Sequence, residues 1–470
     1  MGRWGVATRW VRAHLMTLFV SICVLALLGG VIGARARHSP KALPSPSQTP
    51  AAGGSIPALA PSPSLSPTPL VSNSPTKTTS PKPSPSFHPV ANGDAGMPAI
   101  SGSGRYVAFS SDASNLVAGD TNKKSDVFLE DMTTGIIRRI SLTDSGGQAN
   151  GDSGPLSISS DGSLVIMASN ATNLISGLET KGSHLYAYST VTKHNEMIDV
   201  TPTGSPGHGS FAACCYTTTA QVSGDGRYVV FNSPDNDLVP NDTNNAPDVF
   251  LRDRTTGKTE RVSVSSTGEE ASSGAYPGTD SALASVSDDG RWVVFESTAD
   301  NLAAGGDPNG YSLFIRDRSS GTTEVVDRQE QYGIVSPDGR YVTTVSDGVY
   351  IWDTNTKQTT RVDPTPGSAE IGVLDVSRNA SVIAWAEDSP GFESLRDNIL
   401  TLDRASGRRI ELDVASFVNS GNLVVARDGS TIAFATDRSS KLGLSRDMSR
   451  TFIEVCQLAT ASCRVVSDPS

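Results

Sequence analysis

Two stretches of the sequence carry oxygen donors at a spacing that could hold a hard cation: Asp120-Thr121-Asn122 with Asp126, and Asp242-Thr243-Asn244 with Asp248. Calcium takes six to eight oxygens, and alternating Asp and Asn in a turn can point several of them inward. Asp307-Pro308-Asn309, with Ser312 near the last acid's place, is a weaker copy. The spacing departs from the EF-hand loop, which has more acids and a distant Glu. Asp and Asn are also favoured turn residues, and Asp126 or Asp248 can simply begin a strand. Calcium is one reading of these six residues, and ordinary turn chemistry is the commoner one.

Other chemistry is thin. Gly151-Asp152-Ser153-Gly154-Pro155 looks like the nucleophile motif of trypsin-like proteases, but Ala91-Asn92-Gly93-Asp94-Ala95-Gly96 is a sister segment with Ala95 in the serine's place. That substitution argues for a structural turn. Only His184, His194 and His208 follow residue 90, and no His/Cys spacing suits zinc. No GxSxG elbow is present. No catalytic residue and no cofactor are assigned. Cys456 and Cys463, seven apart, flank a final hairpin and are expected to form a disulfide there if the domain is exported. Cys214 and Cys215 are adjacent, and their state is open.

What must position these residues is a repeat. A turn of the form β-branched residue, Ser or Ala, variable, Asp/Ser/Asn, Gly or Ala ends at Gly104, Gly162, Gly226, Gly290, Gly339, Ala380 and Gly429. Each turn is followed by an apolar run such as RYVVF, then by a second run such as DVFLRD. Most units then show a short turn such as TTG and a more polar strand such as KTERVS. Gly supplies positive φ, and the Asp side chain bonds the nearby backbone. Tyr228 to Phe231 is apolar without alternation, as in a strand covered on both faces. Thr259, Arg261 and Ser263 alternate with Val262, as in an outer strand wetted on one side. Seven units of four strands predict an all-β fold, a seven-bladed β-propeller of four-stranded antiparallel blades over residues 91–470.

Ser336-Pro337-Asp338-Gly339 ahead of an apolar strand, with Trp352-Asp353 where WD repeats carry their dipeptide, resembles the WD-repeat-like propeller repeat of TolB-type proteins. The resemblance covers roughly residues 91–468. It implies the fold and not an activity, because the family includes binding propellers and domains appended to peptidases. TolB itself has six blades behind a separate N-terminal domain, whereas this chain has seven units behind a different N-terminal arrangement.

Residues 1–14 hold Arg3, Arg9 and Arg12 and read as a short cytoplasmic tail. Residues 15–34 are apolar and long enough to span a bilayer as a transmembrane helix. Ala34-Arg35-Ala36 could instead be a signal-peptidase site, although the apolar run is longer than a cleaved signal usually has. Either way the rest is exported, anchored on the cell membrane or secreted. Residues 35–90 form a Pro/Ser/Thr-rich linker, with 14 of the chain's 28 prolines in residues 38–90, which favours an extended stalk over a core. The overall charge is −11; the five arginines and no acids of residues 1–37 leave −16 for the remainder. Such acidity argues against nucleic acid as a partner.

Connections in a blade alternate between two faces. The turns ending at the glycines and the TTG-like turns share one face and are short. The other face receives 111–125, 169–183, 232–247, 297–311 and 386–398 within blades, and 142–156, 201–220 and 264–283 between them; only Ser346-Asp347-Gly348 of the fifth blade is short. Long loops on a rigid scaffold usually carry binding residues. The expected function is therefore a non-enzymatic, membrane-tethered binding propeller that engages a protein, peptide or glycan of the cell envelope through this face. The alternative is an exported hydrolase or lyase using loop carboxylates at the propeller mouth.

Overall fold

The computed structural model describes residues 76–78 and 91–466, apart from 179, 209–219, 273–281, 308–309, 329–332, 347, 363–370, 389–396, 414–422 and 438–450. The proposed tail, membrane segment and most of the linker lie outside the described residues, as do Cys214 and Cys215.

Seven antiparallel sheets follow one another along the chain, each with its four strands in sequence order. Blade one runs from Ala95–Ile100 to Ile136–Arg139, blade two from Ser153–Ile158 to Asn195–Met197, and blade three from Ala220–Val222 to Lys258–Arg261. Blade four spans Ala282–Val286 to Thr322–Arg328, blade five Gly333–Val335 to Thr359–Arg361, blade six Ile371–Val376 to Arg409–Asp413, and blade seven Leu423–Val425 to Ser462–Val465. First strands touch in ring order, and the first strand of blade seven returns to that of blade one. The ring is a seven-bladed β-propeller.

Burial follows the apolar pattern. Val229, Val230 and Phe231 of the second strand of blade three are fully buried, because neighbouring blades cover both faces. The outer strand Lys258–Arg261 alternates between exposed and half-buried residues. Second and third strands stack a pair of rings in three blades: Phe109 on Phe128, Phe231 on Phe250 and Phe295 on Phe314, with centroids 5.7–5.8 Å apart. Cores therefore lie between blades, and each blade depends on its neighbours.

At three of the repeated turns the glycine has two roles. Gly290 has φ +68°, and a Cβ there would lie 2.3 Å from Tyr228 Cδ2 of the preceding blade. Only glycine both adopts that backbone and lets the aromatic ring close against it. Gly162 meets Tyr106, and Gly339 meets Trp292, in the same way.

The variable residues of the turns form a belt around one mouth of the ring. Gly102 N–H donates to Ser160 O (2.9 Å), Ser160 N–H to Gly224 O (2.9 Å), and Gly224 N–H to Asp288 Oδ1 (2.7 Å). Asp288 N–H donates to Pro337 O (2.6 Å). Proline has no N–H, so Asp338 donates instead to Arg378 O (2.9 Å), and Arg378 N–H goes on to Arg427 O (2.7 Å). Asp428 N–H closes the circle on Gly102 O at 2.9 Å. Ring closure thus uses backbone bonds at six of the seven blade junctions and the Asp288 side chain at the seventh. The salt bridge of Arg464 in blade seven with Glu130 in blade one (3.0 Å) adds an outer clasp.

One strand falls inside the stretch read as linker. Thr76–Thr78 pairs in parallel with Arg409–Asp413, the outer strand of blade six, with Lys77 opposite Glu411. An outer strand offers an unpaired row of N–H and C=O groups, which is enough to recruit a short extended segment. Among the described residues blade seven has its own four strands.

Candidate functional site: the central channel and its loop-bearing rim

The sequence-selected acids do converge within each blade, around a group that the spacing did not reveal. Arg139 lies 3.1 Å from Asp120 and 3.4 Å from Asp126, while Asn122 donates to Asp126 Oδ2 (2.8 Å) and to Ala149 O (3.1 Å). In blade three, Arg261 lies 3.0 Å from Asp242, 3.1 Å from Asp248 and 2.9 Å from Glu270. Asn244 bonds Asp248 (2.9 Å) and Ala271 O (3.2 Å). Ser141 and Ser263 donate to the remaining oxygens of Asp126 and Asp248. A guanidinium therefore sits among these carboxylate oxygens in both blades. Burial raises Asp120 and Asp248, and it pushes Asp242 up to about 6 with Asp248 adding to the rise and Arg261 opposing it. A signal was available in the sequence. Both blades with Asp-Thr-Asn and a later Asp end in Arg-x-Ser, at Arg139-Ile140-Ser141 and Arg261-Val262-Ser263. In blade four, Asp307 N–H donates to Ser312 Oγ at 2.8 Å, and Pro308 and Asn309 lie outside the described residues.

Ser153 of the protease-like motif is buried at the start of a strand, where its hydroxyl shares a hydrogen bond with Ser169 (2.8 Å). Cys456 and Cys463 are opposite one another across the last hairpin and bonded, with Sγ–Sγ 2.04 Å. His194 and His208 are exposed, beside Asp144 (3.5 Å) and Asp237 (3.6 Å). His184 is not a loop residue. It is buried, with Nδ1 2.7 Å from Asp199 Oδ2 and Nε2 3.0 Å from Lys181 O. A carbonyl only accepts, so Nε2 carries a hydrogen and the second proton is shared with Asp199. Burial opposes the charged imidazole, yet the Asp199 bond and charge prevail and its pKa rises; burial pushes Asp199 up to about 6.

The first strands enclose a central cavity of about 240 Å³, walled mainly by Ile, Leu, Val and Ala. Side chains of one blade accept backbone N–H groups of the next: Val222 to Ser157 Oγ (3.0 Å), Val286 to Gln221 Oε1 (2.7 Å), Val335 to Ser285 Oγ (2.9 Å) and Val425 to Asp375 Oδ2 (2.6 Å). Asp375 is the carboxylate in this wall. It is half-buried and lines the cavity, and burial pushes it up to about 6 against the two N–H bonds it accepts. At the belt end, Arg427 crosses the mouth to Asp288 and donates to Val222 O at 3.0 Å. Both partners are mostly buried, at 15 % and 19 % side-chain exposure.

Seven four-stranded sheets closed around this channel, with a Ser-x-Asp-Gly turn at four inner corners and a variant of it at the other three, decide the fold. It is a seven-bladed β-propeller. No family model matches the sequence, and no curated protein matches it. Among solved structures this propeller is similar to a prolyl endopeptidase, at 10% identity and TM-score 0.51, over 79% of this chain and 49% of that one. TolB from Acinetobacter baumannii aligns at 15% identity and TM-score 0.37, over 69% of this chain and 64% of that one. Oligogalacturonate lyase from Vibrio parahaemolyticus aligns at 11% identity and TM-score 0.44, over 81% and 86%. The chain thus spans less than two thirds of the TolB and endopeptidase chains. At these identities the similarity concerns the fold alone.

Proposed function

We propose that this TolB-like propeller is a non-enzymatic binding module held outside the cytoplasm by its N-terminal segment. It engages a protein, peptide or glycan of the cell envelope through the rim that carries the long loops. The observation that carries this reading is the contrast between the two mouths of the channel. One is ringed by the belt and crossed by Arg427 and Asp288. The other faces the long connections, whose tips expose Lys123, Asn241 and Asn245 at positive φ. A rigid scaffold with elaborated loops on one rim suits recognition.

The test compares the two rims. Lys123→Glu with Asn241→Lys and Asn245→Lys alters the long-loop rim; Thr256→Lys with Ser320→Lys alters the opposite one. Retention of envelope components on the full chain should fall with the first set and survive the second. Equal retention by both variants, or loss only with the second, would reverse the assignment of the face.

The hydrolase or lyase reading draws on one observation, the channel carboxylate Asp375, which burial pushes up to about 6, toward the range a general acid or base needs. Turnover of wall glycans or peptides by the full chain that disappears in Asp375→Asn would favour it.

A further inference from the structure

The seven repeats supply an internal control, and one junction departs from it. In three blades the loop after the second strand reads Ala-x-Asn-Leu: Ala113 to Leu116, Ala171 to Leu174 and Ala299 to Leu302. Its Asn works in two directions. Asn173 accepts the N–H of Asn150 (3.0 Å) and donates to Gln148 O (2.9 Å); Asn301 accepts from Ser272 (2.9 Å) and donates to Glu270 O (2.9 Å). Blade three has Asp235-Asn236-Asp237-Leu238 instead, so both the alanine and the asparagine become acids. A carboxylate accepts but cannot donate, so the two-way bridge is lost.

Asp235 is 2% exposed, and neither of its oxygens has a hydrogen-bond partner. Asp237 Oδ1 is also buried without a hydrogen bond, and the exposed His208 ring stands 3.6 Å away. Room for the extra acid comes from Gly207, which stands where the other crossings have Ala91, Ala149 and Ala271. A Cβ on Gly207 would lie 2.8 Å from Asp235 Oδ2 and 3.2 Å from Asp199 O. The sequence changes on both sides of this gap, and together they make space for a carboxylate.

Among the described residues no cation contacts Asp235; the His184 ring acts on it only through space and is already bonded to Asp199. The residue in register with Arg139 (opposite Phe128) and Arg261 (opposite Phe250) is Met197, opposite Tyr186. Asp199 is already engaged by His184 and by the N–H of Leu185. Burying an unpaired carboxylate is costly enough that a compensating charge is expected.

We propose that Asp235 and Asp237 hold a hard divalent cation at the junction of blades two and three, on the long-loop rim. The donors are all oxygen, which selects a calcium- or magnesium-like ion over a thiophilic one. Beyond the His208 ring beside Asp237, no group of three acid, histidine or cysteine ligand atoms draws together here among the described residues, so carbonyls and water would complete the shell. Two carboxylates correspond to an affinity in the range of about 0.1–1 mM. In blades one and three the same need for positive charge is met by arginine.

The experiment is calorimetric melting of the full chain, stripped with chelator and then titrated with calcium chloride, and in parallel with magnesium and manganese chloride. The comparison variant is Asp235→Ala with Asp237→Asn, which restores the loop of blade two and so preserves a packing that this fold already uses. The wild type should gain several degrees in Tm with at least one of these ions, saturating at millimolar concentration, and the variant should gain none. In chelator the variant should melt at or above the wild type, because the buried Asp235, with neither oxygen hydrogen-bonded, is gone. A wild type unmoved by all three ions, or a rise that persists unchanged in the variant, would overturn the proposal.

Discussion

Arg427 of blade seven pairs with Asp288 of blade four, 139 residues away, and so ties opposite sides of the ring across one mouth of the channel. Asp288 also accepts the N–H of Gly224 (2.7 Å), and Arg427 also donates to Val222 O (3.0 Å). The pair therefore links blades three, four and seven. Burial lowers the pKa of Arg427, and the nearby Asp288 and Asp375 charges oppose that. Removing one member leaves the other charge in the channel without its partner. Arg427→Ala and Asp288→Ala should each lower stability by about 3 kcal/mol or more, and the double variant by much less than the sum. Urea unfolding of the four proteins gives the coupling; additive losses would mean that the two charges do not interact.

Gly290 and Gly257 separate two costs of replacing a turn glycine. Both have positive φ, +68° and +67°, but a Cβ on Gly257 meets nothing within 4 Å, whereas one on Gly290 meets Tyr228. Gly257→Ala should cost about 1–2 kcal/mol for the left-handed backbone. Gly290→Ala should cost clearly more, because the Tyr228 ring must move. Equal losses in denaturant melts would show that the ring contact is soft.

Arg261→Ala should destabilise the domain by about 3–5 kcal/mol, since Asp242, Asp248 and Glu270 lose their shared cation. Millimolar calcium should recover part of this loss in the variant. The acids would then hold a metal only once the guanidinium is removed. Thermal melts with and without calcium check both statements.

Stability should peak in mild acid. Asp199, Asp242 and Asp375 are pushed up to about 6, and Glu130 to about 7, mainly by burial. Each binds its proton more tightly folded than unfolded, so its contribution is present at low pH and is lost as pH rises from about 4 to about 7. Asp253 and Asp317 behave oppositely. The Arg227 and Arg291 bonds hold them below the usual carboxylate range, so their contribution fades as pH falls below about 4. A Tm profile should therefore have its maximum near about pH 5. A Tm that rises steadily from pH 5 to 8 would contradict this.

The Cys456–Cys463 bond closes a loop of only seven residues' separation. Cys456→Ser with Cys463→Ser should cost about 2 kcal/mol by loop entropy. The belt and the Arg464–Glu130 clasp should keep the ring closed, so near-ultraviolet dichroism should remain native before the melt.

Much of the architecture could be read from residues alone. Turns such as Val222 to Gly226 and runs such as Tyr228 to Phe231 are local, because hydrogen bonding over five residues and continuous apolarity act within one strand pair. The seven units, the four strands in each and the division into a short-turn face and a long-loop face follow from them. The grouping of Asp120, Asn122 and Asp126 was equally legible, since all three lie within one loop.

What occupies those groups was decided by the tertiary structure. Arg139 and Arg261 reach their acids across an antiparallel register that brings residues 13 apart together. Arg427 meets Asp288 only because the ring closes at one diameter, and Asp235 lies over Gly207 only because blades two and three pack at one angle. Such contacts depend on distances between blades, which no single repeat encodes. The turns and apolar runs specified the blades; the closed ring selected which charges meet and left Asp235 without a partner.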